Sequence, residues 1–231
     1  MSLPDPARTA PVPFQPHPGA GTGTFLWLAR HAEVHPDWQG KAYGNLDVPL
    51  SREGEARTLE LAAALAELRP RVVISSPLRR ALDLGTRVSE RSGAPLKIDP
   101  RLAEIQRGSW QGRKVEDLYR EEPAAVEAFY ADPWNWSGHG GESDAALCER
   151  VWPAIDALLE RFNGKLVVTT HYNVIRVIAA RALGIPPARS FAFRVDPGRL
   201  VLFHDAPGGW RLLAANADSP AELDPLSLHA G

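Results

Sequence analysis

Four apolar stretches of this 231-residue chain each run into side chains that can do chemistry. FLWLA (25–29) ends in Arg30 and His31, and VVISS (72–76) is followed by Arg79 and Arg80. LKID (96–99) is followed by Glu104, and LVVTT (166–170) by His171. In an open parallel sheet, ligands sit beyond the carboxyl ends of the strands. Strands of that kind would bring two imidazoles, at least two guanidiniums and a carboxyl group to one edge. Arginine suits phosphate because its planar fork donates paired hydrogen bonds to two oxygens. A neutral imidazole, with an ordinary pKa of about 6.5, is a usable nucleophile at neutral pH. A carboxyl group in a closed anionic pocket can hold its proton and give it to a leaving oxygen. The set suits phosphoryl transfer through a phosphohistidine, with positioning and charge neutralisation carrying the catalysis. Arginines supply the positive charge, so no metal is required.

Those groups need elements to hold them. FLWLAR (25–30), RVVISS (71–76), LKID (96–99) and KLVVTT (165–170) read as strands, near-continuously apolar as strands buried on both faces are. Ser51 is placed to cap a helix reaching about Leu68, with Glu53 and Glu55 where the dipole favours them. Ser76 before Pro77 predicts a helix ending at Gly93, and 114–131 reads as one helix. Ser143 opens another, with Leu147, Val151, Ile155 and Leu158 on one side and a bend at Pro153. A last helix runs from Asn173 to Leu183, stopped by Gly184 and Pro186. RLVLFHD (199–205) and GWRLLAAN (209–216) flank Pro-Gly-Gly as a terminal hairpin. Strands alternating with helices predict an α/β fold: a three-layer α/β/α sandwich with a mainly parallel central sheet and helices on both faces. The expected organisation is a Pro- and Gly-rich leader over 1–23, one catalytic domain over 24–218 and a tail over 219–231. No internal repeat is found.

Composition narrows the classes. The chain is 44% hydrophobic and 23% charged with a net charge of −2. It therefore lacks the basic stripe that nucleic acid or an anionic membrane would require. The single cysteine, Cys148, excludes an internal disulfide framework and fits a reducing, cytoplasmic setting. No stretch approaches the roughly 18 apolar residues of a spanning helix. The N-terminus has no basic start before an apolar block, so a signal peptide is not expected.

Six motifs, in order, carry a family likeness. They are RHAE (30–33), GNLDVPLS (44–51), SSPLRRA (75–81), LAEIQRGSWQG (102–112), GGES (140–143) and HYNVIR (171–176). Together, over about residues 24 to 216, the chain resembles the histidine phosphatase superfamily, also called phosphoglycerate mutase-like. The resemblance implies a phosphoglycerate mutase-like fold and selects Arg80 over Arg79. It implies that His31 becomes phosphorylated and that Arg30, Arg80 and His171 hold the phosphoryl oxygens. Glu104 would be the proton donor and then the base for water, with no cofactor. The expected partner is a small phosphorylated metabolite, and a homodimer is left open. The chain departs from the family pattern in four places. Ala32 replaces a glycine, Val34 removes a hydroxyl, Asp37 places an anion where asparagine is usual, and Tyr172 adds bulk beside the second histidine.

Other residues have duller readings. His17, His139, His204 and His229 read as structural or exposed, His35 lies nearer the mouth, and Arg79 belongs to the surface. Trp110 reads as core, and Cys148 as buried rather than reactive. Trp134 and Trp136, in ADPWNWSGHGGES, are either a packed lid or an aromatic wall for the substrate's leaving group. Tyr172 joins them as a candidate substrate contact.

A mutase has to shield its phosphohistidine from water. The cofactor-dependent mutases that this chain resembles carry an Arg-rich insertion before Gly-Glu-Ser. Here the acidic KVEDLYREEPAAVEAFYADP stands instead, which favours hydrolysis. The Tyr-Gly-x-x-Asp-x-Pro-Leu stretch is similar to α-ribazole phosphatase-like members. Rival readings are a catalytically silent phospho-ligand binder and a metal-dependent hydrolase built on His31, His35 and His171. The second lacks a ligand-spaced cluster.

Overall fold

A computed structural model describes residues 23–223. The expected leader up to residue 22, the tail from residue 224, and with them His17 and His229, lie outside the described residues. Six strands form one sheet: β1 (Thr24–Arg30), β2 (Val72–Ser75), β3 (Leu96–Ile98), β4 (Gly164–Thr170), β5 (Leu200–Ala206) and β6 (Gly209–Ala217). Their order is β3-β2-β4-β1-β5-β6. The β3-β2, β2-β4 and β4-β1 pairs are parallel, and the hairpin β5-β6 adds to β1 antiparallel.

Helices cover both faces. Strand residues alternate sides, so Leu26 and Leu28 face α5 (Asp144–Arg161) and α6 (Tyr172–Leu183), while Trp27 and Ala29 face α1 (Arg52–Glu67) and α2 (Arg79–Ser92). The α5 stripe of Leu147, Val151, Ile155 and Leu158 is buried there, each side chain worth about 1.5–3 kcal/mol of transfer free energy. α5 continues through Pro153. The sandwich expected from the sequence is therefore present. A third, smaller cluster of Trp110, Leu118, Val126 and Phe129 lies between β3 and α5 in the chain. Leu118 belongs to α3 (Val115–Glu121), Val126 and Phe129 to α4 (Pro123–Ala131), and Trp110 to the 3-10 turn Gly108–Trp110 before them.

Three boundaries differ from the sequence reading. The expected single helix over 114–131 is two, because Pro123 has no N–H to continue the ladder and instead opens α4 at its first position. α2 begins at Arg79 rather than at Pro77. Ser76 does not cap it, since its hydroxyl is taken by Leu78 N–H and His171. α6 begins at Tyr172, with His171 itself as the flanking residue. Pro220–Leu223, inside the expected tail, forms a 3-10 turn packed near α1 and β6.

Candidate active site

The strand order explains the site. β1 and β4 are neighbours in register, Arg30 opposite Thr170, so His31 and His171 leave the sheet side by side. Their ring centroids are 5.2 Å apart. β2 lies on the far side of β4 and delivers Ser76 and, as the second residue of α2, Arg80. Glu104 arrives from the loop after β3. His31, Arg80, Glu104 and His171 are all buried.

Hydrogen bonds fix the protons. His31 Nδ1 lies 2.7 Å from the Ala32 carbonyl, which can only accept. Nδ1 therefore carries the proton and Nε2 keeps its lone pair. His171 Nε2 is 2.7 Å from Ser76 Oγ. That oxygen accepts from Leu78 N–H at 3.2 Å and can donate its own proton to Nε2; in that tautomer the neutral His171 ring donates through Nδ1. Nδ1 is buried without a partner among the described residues. Burial, then the charges of Arg80 and Arg30, hold His31 well below its ordinary pKa of 6.5. Burial, then Arg80, His31 and Arg30, do the same to His171. Both rings are neutral at pH 7.

The two arginines are aimed by carbonyls rather than carboxylates. Arg80 donates from Nη1 to Leu46 O at 2.6 Å and from Nη2 to Gly44 O at 2.8 Å. Arg30 donates from Nη1 to Val195 O at 2.5 Å. The Nε of each is buried and unpartnered among the described residues. Arg79, by contrast, is exposed and bound to Asp47 by both N–H and Nε. That pin holds the Gly44–Asp47 loop against Arg80. Glu104 accepts from its neighbour Ile105 N at 2.9 Å and from Asn173 N at 3.4 Å. Arg150 steadies its loop through Arg101 O and Glu104 O while gripping Glu142 with Nε and Nη2.

The motifs thereby acquire physical reasons. Glu33 accepts from Ser51 Oγ, which in turn caps α1 at Gly54 N. A Cβ on Gly54 would stand 2.1 Å from Glu33 O, so only glycine fits. Gly108, at φ +49°, and Gly141 let the Glu104 loop and the GGES turn touch backbone to backbone.

Beside these groups opens a cavity of about 260 Å³ whose walls include Arg30, Tyr43, Glu104, Arg107, Trp110 and Phe129. Tyr172 lines it, over Arg30, as does Asn173. Trp134 and Trp136 do not. Trp134 packs against the α5–α6 core, and Trp136 lies among Trp110, Phe129 and His139 behind the wall. His139 is a buried cluster member whose pKa falls to about 4 through burial and then Arg107. His204 stacks on Phe25. His35 and Asp37 are exposed and pair with each other away from the buried rings, and Val34 is buried and bridged to Leu50. Trp110 is buried but also faces the cavity, and Cys148 is buried. Among the described residues no three His, Cys, Asp or Glu side chains form a cation-binding group, and no helix is long and apolar enough to cross a membrane. Ser76, Tyr43, Arg107 and Asn173 were not singled out in the sequence as site residues. Ser76 reads there as a helix cap, and Arg107 could have been noticed only by its spacing of three from Glu104.

A buried pair of neutral imidazoles, two guanidiniums with free Nε donors and an adjacent carboxyl group define a phosphoryl-transfer site of the histidine-nucleophile class. Residues 26–218 match the model of the histidine phosphatase superfamily (branch 1). The chain belongs to that superfamily. It is 32% identical to glucosyl-3-phosphoglycerate phosphatase of Mycolicibacterium vanbaalenii, over 70% of this chain and 75% of that protein. It is 30% identical to adenosylcobalamin/alpha-ribazole phosphatase of Escherichia coli, over 75% of this chain and 86% of that protein. Among solved structures, it superposes on mycobacterial glucosyl-3-phosphoglycerate phosphatase with a TM-score of 0.76 at 26% identity. That match covers 85% of this chain and all of the other.

Proposed function

We propose that the protein is a phosphomonoesterase for a small phosphorylated metabolite, working through a phosphohistidine on His31. The observation that carries this reading is the bond from His31 Nδ1 to Ala32 O, which reserves the Nε2 lone pair for phosphorus. Nε2 attacks, the P–N bond forms and the ester P–O bond breaks. The Glu104 carboxyl gives its proton to the leaving oxygen. Water then attacks phosphorus, loses its proton to the Glu104 carboxylate, and the P–N electron pair returns to Nε2. Arg30, Arg80 and His171 Nδ1 hold the three non-bridging oxygens, where preorganised donors stabilise the transition state most. Phosphatases among the relatives support hydrolysis over mutase chemistry. So does the acidic α3, whose Arg120, like Arg113 just before it, is already paired with carboxylates. We also propose that the enzyme is cytoplasmic and works without a nucleic-acid or membrane partner, with a homodimer left open. Cys148, the one thiol, supports the compartment. Sedimentation tests the assembly.

Mixing with p-nitrophenyl phosphate and quenching within milliseconds should trap an acid-labile, base-stable phosphoryl group on His31, and vanadate should inhibit. Turnover without such a species, or turnover lost to a chelator, would exclude this mechanism.

A further inference from the structure

Arg107 lines the cavity beside Glu104 and Arg30, yet the transfer steps above do not use it. Its one side-chain hydrogen bond among the described residues is long, 3.4 Å from Nη2 to Asn173 Oδ1. An amide oxygen does not neutralise a guanidinium. The other arginines around it are paired: Arg113 with Glu121 and Glu122, Arg120 with Asp117 and Glu121, Arg150 with Glu142, and Arg176 with Asp144. Arg107 forms no ion pair among the described residues. Its guanidinium lies 5.2 Å from the Phe129 ring centroid, a geometry that orients the fork without cancelling its charge. Burial lowers its affinity for a proton, with Glu104 opposing that shift, so a bound anion would relieve the desolvated charge. Arg30 and Arg80 show the same pattern, carbonyl partners and no carboxylate, and both face an anion in the reaction. Lys41 lines the same cavity, its ammonium over the Trp38 ring at 5.1 Å.

Resting on the phosphatase reading for the reacting end, we propose that Arg107, with Lys41 beside it, binds a carboxylate on the leaving portion of the substrate. The preferred substrates are then phosphomonoesters of small hydroxy acids. A planar carboxylate matches one guanidinium fork. A second phosphate would need the several donors that surround the transferred one. Without Arg107, a carboxylate entering this cavity would meet the anionic phosphoryl group with Lys41 as its one remaining charged donor outside the phosphoryl site.

Two measurements test this. Benzylphosphonates bearing a carboxylate or the isosteric carboxamide, at the meta and para positions, report binding by calorimetry whether or not turnover occurs. The carboxylate member of one pair should bind about ten-fold more tightly, the effect of one charge-assisted bond, and Arg107→Met should erase that preference. The matching aryl phosphates should show the same preference in KM rather than kcat. Equal binding of carboxylate and carboxamide by the wild-type protein would overturn the proposal. So would an equal loss on both members in Arg107→Met, which would make Arg107 a ligand of the phosphoryl group. Arg107→Gln carries the same expectation where the Met variant does not fold. A charge preference in binding without phosphate release from any ester would sustain this assignment while removing the phosphatase reading.

Discussion

The sheet edge and the α3–α4 wall meet across one cavity and are built on different physical terms. At the edge, four of the five groups are oriented by backbone, His31 by Ala32 O, Arg30 by Val195 O, Arg80 by Gly44 O and Leu46 O and Glu104 by Ile105 N, and His171 by the Ser76 hydroxyl. These bonds are short and directional, and the backbone that makes them is itself tied to parallel strands. The opposite wall is held by rings. Trp110 meets Phe129 edge-on at 5.8 Å, Tyr119 stacks on Tyr130 at 6.4 Å, and their hydroxyls are 3.1 Å apart. Ring contacts are worth about 0.5–1.5 kcal/mol each beyond burial and tolerate small shifts. Under the proposed function, chemistry that depends on fractions of an ångström would sit on the stiff side, and the surface that meets variable leaving groups on the adaptable one.

The largest test of that division is His31→Ala. Loss of the nucleophile should reduce turnover of every ester by about 10⁴-fold or more, while thermal unfolding stays cooperative. Residual activity above that level, proportional across esters, would show that the edge is not the reacting side. Arg80→Met comes next. It should lower kcat/KM by about 10²–10³-fold. It also leaves Gly44 O without its donor, at about 1–3 kcal/mol for a buried carbonyl left unbonded, while Leu46 O keeps Val48 N–H at 3.1 Å. A variant with full stability would mean that Gly44 O finds another donor, and that the edge is less rigid than the hydrogen bonds indicate.

The contrast also governs what the sequence could reveal. Arg30, His31 and His171 are legible because each stands just beyond an apolar run, and strand polarity puts all such positions at one edge; the same argument yields Arg79 and Arg80 together, and only the family motif separates them. Glu104 was legible through its place after LKID and inside a motif. The wall was not. Its position depends on Pro123 splitting one expected helix into two and on the Gly108–Gly141 backbone contact, neither of which leaves a periodic signal. Trp134 and Trp136, in an irregular segment, read equally as a packed lid or an aromatic wall, yet it is Trp110, expected to be core, that lines the cavity. Ser76 misled for another reason. A serine before proline is a good helix cap in isolation, but here a buried histidine competes for its hydroxyl and wins.

Glu104→Gln spans both sides of the cavity, because its effect depends on the leaving group. Alkyl phosphates should slow by about 10²-fold, while p-nitrophenyl phosphate, whose oxygen leaves without a proton, should slow far less. Equal losses on both would remove Glu104 from the acid role. Smaller still is the pH effect of the two imidazoles. Both have folded pKa values below the ordinary 6.5, so below that pH the unfolded chain binds more protons than the folded one. Stability should be flat above about pH 6.5 and fall beneath it, by up to about 1.4 kcal/mol per pH unit for each histidine. Denaturant titrations from pH 7 to 5 measure this. For the same reason, kcat/KM should show no loss of nucleophile near pH 6.5. A break there would place at least one ring in contact with solvent.

The smallest effect on activity is expected from Trp136→Leu. Trp136 lies 4.9 Å from both Trp110 and His139 and 5.7 Å from Phe129, on the side of Trp110 away from substrate. Shortening it leaves a gap behind the wall rather than in it. The protein should lose a few kcal/mol at most, a melting temperature lower by roughly 2–4 °C per kcal/mol for a chain of this size. KM for a bulky ester should move less than two-fold, because Trp110 remains held by its bond to Glu122 at 2.9 Å and by Phe129. The informative comparison is Trp110→Leu, which removes a ring that faces the cavity and should raise KM for the same ester several-fold more. If Trp136→Leu raised KM as much as Trp110→Leu, the two rings would be acting as a single surface. The wall would then owe its shape to the whole ring cluster rather than to the side chains that touch the cavity.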